Sequence, residues 1–100
     1  MIRRMLASAA LMFSLSVPAV AQDKEAECRK FGQVATNIMT ERKNGSNARR
    51  AERRVLRTIP DMSKTDEVLA VQLVDWIYSL PEEQLSPEVS NMVYQTCLSQ

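Results

Sequence analysis

Histidine is absent from this chain, and its 100 residues include only two cysteines, two glycines and five aromatic residues. Without histidine the protein lacks the commonest general base, the side chain that titrates near neutrality, and the most versatile transition-metal ligand. Scarce glycine and the lack of extended apolar/polar alternation argue against a sheet architecture. Long apolar runs are missing too. The longest, residues 5–17, is interrupted by Ser8, Ser14 and Ser16 and stops at Pro18, short of the roughly 20 residues a membrane-spanning helix needs.

What the N-terminus does have is a positive start at Arg3 and Arg4, that short apolar stretch, and then Pro18-Ala19-Val20-Ala21-Gln22. Small residues at 19 and 21 complete a secretory signal, so the expectation is a signal peptide over residues 1–21, cleaved after Ala21. Residues 22–100 then form one helical domain, periplasmic or secreted, with no transmembrane segment in the mature form. Processing removes two of the thirteen basic residues and none of the twelve acids, which leaves a net charge of about −1. A globally basic nucleic-acid binder is excluded on that balance, and no aromatics interleave with the arginines as a single-strand binder would require.

Cys28 and Cys97 both lie in the mature part, and the signal directs them to an oxidising compartment. Two cysteines allow one intramolecular pairing, and no Cys-x-x-Cys spacing points to redox chemistry. A structural Cys28–Cys97 bridge is expected, with pairing between chains as the alternative. Paired thiols and missing histidine leave no nucleophile with an evident base. The neighbouring acids Asp66-Glu67 and Glu82-Glu83 read as partners of helix N-termini rather than a catalytic pair. The chain is therefore expected to be non-enzymatic, with no cofactor, and the scattered Met39, Met62 and Met92 read as gap-fillers rather than copper ligands.

Apolar residues recur at helical spacing throughout, which predicts an all-α, four-helix domain. The first helix runs from about Lys24 to Lys43 with Cys28, Phe31, Ala35, Ile38 and Met39 on one face. Asn44-Gly45 stops it. Residues 44–47 read as a short mobile linker, and Ser46 or Asn47 caps a second helix bearing Ala48, Ala51, Val55 and Ile59 and ending before Pro60. Ser63 opens a third helix so widely apolar, from Val68 to Leu80, that its expected place is the centre of the bundle. Ser86-Pro87-Glu88 starts the last helix, with Val89, Met92, Val93 and Cys97 inward, so that the bridge ties the first helix to the last. Trp76, Tyr78 and Tyr94 read as core.

Charge is divided along the chain, basic through the second helix and acidic beyond it. Arg49, Arg50, Arg53, Arg54 and Arg57 make an arginine face whose guanidinium groups suit carboxylates and phosphates, unless it is simply solvated.

The early cysteine, the stretch GQVATNIMTERKNG and the stretch LVDWIYSLPEEQLSPEVSNMVYQTC resemble small exported proteobacterial helical proteins of unassigned function. The second half is also similar to periplasmic immunity proteins that neutralise type VI secretion amidase effectors. In those, a penultimate helix ends at a proline-glutamate turn and a last helix runs to a cysteine; residues 73–80, Pro81-Glu82 and residues 89–97 carry the likeness. The Phe-Pro-Cys ending and extra cysteine of many such proteins are missing here, and no effector-contacting residue carries over. Together these readings imply an envelope protein that binds another protein through its arginines, inhibition of a cell-wall enzyme being the concrete form. Two alternatives use other chemistry: binding of anionic polymers or lipid headgroups by the same arginines, and a holdase that acts when reduction or acid exposes the third helix.

Overall fold

The computed structural model describes residues 19–100, with side chains from Asp23 onward. Most of the expected signal segment, residues 1–18, lies outside the described residues. Four helices follow one another, α1 (Ala19–Lys43), α2 (Ala48–Thr58), α3 (Lys64–Ser79) and α4 (Pro87–Leu98), with a 3-10 turn at Glu82–Gln84. No strand occurs among the described residues, so the domain is all-α.

Local stereochemistry sets the boundaries. Gly45 takes φ 92°, Ser46 N–H donates to Glu41 C=O at 3.0 Å and Gly45 N–H to Arg42 C=O at 3.1 Å. This double closure over a left-handed glycine ends α1. Asn47 then caps α2, its Oδ1 accepting from the Arg50 N–H at 2.9 Å. Pro60 stops α2, and Asp61, at φ 58°, supplies a left-handed turn that aspartate tolerates. Ser63 Oγ accepts from the Asp66 N–H at 3.1 Å to open α3, and Pro87 opens α4 where a missing N–H costs nothing. At its other end α1 is already helical at Ala19, the first described residue and ahead of the expected Lys24, since nothing in Ala19-Val20-Ala21-Gln22 breaks a helix.

The helices gather around α1, which contacts all three others. α4 lies antiparallel against it, fixed at one end by the Cys28–Cys97 disulfide, Cα atoms 5.5 Å apart, and further along by Thr36 and Ser90 hydroxyls 2.6 Å apart. Val34, Ala35, Ile38 and Met39 of α1 meet Val55 of α2, Ala70, Val74 and Ile77 of α3, and Val89 of α4 in one core.

Helix α3 is thus not the centre that its apolar width led us to expect. α4 packs on α1, not on α3, so the far side of α3 is left uncovered, with Val68 56%, Leu69 41% and Trp76 37% exposed. Met92, expected inward, faces the same opening at 54% exposed.

The bridge spans a sequence separation of 69 residues, and closing such a loop restricts the unfolded chain enough to stabilise the fold by about 4 kcal/mol. Reduction, or the pair Cys28→Ser with Cys97→Ser, should lower the unfolding free energy in urea melts by about that amount. A loss under about 1 kcal/mol shows instead that α1–α4 packing alone holds the chain ends together.

Candidate interaction surfaces

Helix α2 points Ala51 and Val55 into the core and so turns its arginines outward, yet it does not treat them alike. Arg49 and Arg54 flank the outer face and are engaged. Arg49 donates to Glu52 at 2.6 Å and to Asp75 of α3 at 2.9 Å, and Arg54 lies 3.7 Å from Glu41 of α1. Arg50, Arg53 and Arg57, at i, i+3 and i+7, form the crest between them. All three are exposed, and none has a carboxylate partner among the described residues. Of the five arginines expected to act together, the fold therefore assigns two to holding α2 in place and presents three to solvent.

That crest is unfavourable for the helix itself. No acid occupies the first turn of α2, so Arg49 and Arg50 sit at the positive end of the dipole, a placement that costs about 0.3–1 kcal/mol. Like charges three and four residues apart add about 0.2–0.5 kcal/mol of repulsion per pair.

The loop beneath α2, expected to be mobile, is pinned. Ser46 is buried; its Oγ donates to Glu41 at 2.7 Å and its C=O accepts from the Tyr78 hydroxyl at 2.6 Å. Arg42 lies over the Tyr78 ring, 5.7 Å from its centroid, and donates to Ile77 C=O at 2.6 Å. This gives α3, which has no basic residue in its last turn, the cation its C-terminal end favours. Sequence reasoning missed Ser46 and Tyr78 as a pair because the contact spans 32 residues.

A second surface lies away from α2. Over the floor residue Phe31, α3 and α4 enclose an open groove of about 540 Å³ walled by Leu69, Leu73 and Trp76 on one side and Met92, Val93 and Cys97 on the other. Trp76, the chain's single tryptophan, lines it rather than the core. The signal for this groove was present in the sequence: a helix in a small domain that is apolar nearly all round has more apolar surface than its neighbours can cover. Met39 is buried in the core, Met62 is half-buried at its edge and Met92 stands on the groove wall, so the methionines do not converge.

The protein-family models, curated proteins and solved structures compared with this chain give no match. What it does must be argued from its own surfaces. Among the described residues no helix is long and apolar enough to cross a membrane.

Burial, with the Glu41 carboxylate adding to it and Arg42 opposing, raises the Tyr78 phenol above its ordinary value. Because the folded chain keeps this proton longer than the unfolded one, the stability tied to it is whole below about pH 10 and falls as pH climbs through the raised value. Tyr78→Phe should cost about 1 kcal/mol at neutral pH through loss of the bond to Ser46. Its urea midpoint should then lack the alkaline decline that the wild type shows; an identical decline in both assigns the effect to another group.

Proposed function

We propose that the protein is a non-enzymatic, exported interaction protein of the cell envelope that holds an acidic surface of another protein through the α2 crest. The single observation behind this is that Arg50, Arg53 and Arg57 share one exposed face with no carboxylate partner among the described residues, while Arg49 and Arg54 are committed to acids. Three forked guanidinium groups along two helical turns can each take a carboxylate bidentately. A chain without histidine and with both thiols in a disulfide offers no activated nucleophile, which favours binding over catalysis. Inhibition of a cell-wall enzyme, in the manner of the immunity proteins the second half resembles, is the most concrete form of the reading. Location in the periplasm or outside rests on the signal at residues 1–21 and is supported by the disulfide.

The holdase alternative has a premise the fold alters. It supposed that reduction or acid must first expose α3, whereas Val68, Leu69 and Trp76 stand open in the oxidised structure. An anionic polymer or lipid headgroup at the same crest remains the contrasting class, distinguished below by what is retained.

Two variants test the proposal. A bait with Arg50, Arg53 and Arg57 all changed to Ser should lose one stoichiometric envelope protein that the wild type retains. Equal retention by both baits removes the crest from consideration, and retention of polyanion or lipid without protein transfers the site to the contrasting class. Arg50→Glu should lose the same partner while raising stability by about 1 kcal/mol, since the acid meets the helix dipole and sits four residues before Arg54. A destabilised Arg50→Glu protein shows that the crest carries an unseen structural load.

A further inference from the structure

Of the four large hydrophobic residues left exposed among the described residues, Val68, Leu69, Trp76 and Met92, the last three are not scattered as surface apolar residues usually are, but line the groove between α3 and α4. We infer that a second copy of this chain occupies the groove, the α3 ridge of each protomer seated on the α3–α4 face of the other in a two-fold dimer.

Charge is the first argument. A two-fold contact brings a surface against itself, so a charged patch there meets its own sign across the axis. No side chain lining the groove is charged. Down the open side of α3, Leu69, Gln72 and Trp76 follow one another at helical spacing; Asp66 and Glu67 are turned to other sides, and Asp75, at the edge of this face, is paired with Arg49 of α2. The crest of α2, by contrast, would face arginine with arginine. Net charge of +1 over the full sequence adds almost no long-range repulsion between copies.

Shape is the second. The groove is open along its length, as the exposure of Leu69 and Met92 shows, so an acyl chain lying in it would keep one flank in water. A helix that is apolar on one side and polar on the other fits such an opening. The ridge from residue 69 to residue 76 is about 10 Å long, and the facing wall from 92 to 100 about 12 Å; one element supplies a ridge matched to the groove it helps to form.

Area sets the strength. Helix α3 has 16 residues, about 24 Å, and a face two helices wide is about 20 Å across. That is roughly 500 Å² in projection, and side-chain relief brings it toward, but not beyond, the 800 Å² per partner of specific interfaces. A contact of that size belongs with weak, reversible interfaces, so the dimer should come apart on dilution. No residue of α2 lines the groove, so both arginine crests remain open and the inference stands or falls apart from the proposed function.

The test is sedimentation equilibrium of the oxidised protein between about 1 and 200 µM, a range that brackets micromolar affinity, with Trp76 emission followed over the same dilution. The wild type should be dimeric at the top of the range and dissociate below it, the emission moving to longer wavelength in step. Leu69→Glu should be monomeric throughout with unchanged far-UV circular dichroism. Met92→Glu, at an exposed position on the opposite wall, repeats the test should Leu69→Glu unfold. A wild type that stays monomeric, a dimer indifferent to both substitutions, or a dimer without the emission shift overturns the inference. A monomer whose Trp76 emission shifts on addition of sodium palmitate makes the groove a small-ligand site. A monomer that holds a different protein, lost with Leu69→Glu, gives the groove to that protein.

Discussion

Burial of one face of α1 is the interaction on which the rest of the domain depends. Val34, Ala35 and Ile38 are fully enclosed and Met39 nearly so, and each other helix packs against them. At about 1.5–3 kcal/mol for each large aliphatic side chain enclosed, this stripe supplies much of what a small domain has to set against its chain entropy. Several polar ties run to the same helix: Cys28 and Thr36 to α4, Arg42 to the end of α3, Glu41 to the loop and to α2. Helix α1 thus decides where every surface feature of the protein points.

The parts of this arrangement that were legible in the sequence are those governed by nearest neighbours. Asn44-Gly45 ended α1, Ser63 and Pro87 opened α3 and α4, and two cysteines far apart in an otherwise cysteine-free chain had one intramolecular way to pair. The arginine face was legible as a cluster but not in its division. Periodicity places Arg49 and Arg54 on the flanks of α2, but only the fold shows that Asp75, 26 residues away, and Glu41 stand beside those flanks.

The misplacement of α3 has a physical cause. Apolar width measures how much of a helix would rather leave water, not how much its neighbours can cover. Had α4 packed on α3, the width would have been absorbed and α3 would have been central. Because the Cys28–Cys97 bridge and the Thr36–Ser90 contact hold α4 on α1, the surplus became a groove. The loop reading failed for a related reason. Polar, glycine-containing segments are usually solvated, but Ser46 has its N–H, C=O and hydroxyl all satisfied inside the protein, which lets it be buried without penalty.

Both surfaces are therefore consequences of one commitment. With its stripe given to α1, α2 can show solvent only polar side chains, and these are arginines placed against the helix dipole and against one another. With α4 drawn to α1, α3 keeps an apolar flank in water. The crest leaves the isolated molecule less stable than a chain of the same fold with an acid at position 50, and the groove leaves apolar surface that folding has not taken out of water. Each such deficit is removed by contact with the right chemistry, carboxylates for the crest and an apolar ridge for the groove. The two lie on different sides of the core, so covering the groove leaves the crest free, and a dimer formed there would carry two crests able to act together on one extended acidic target.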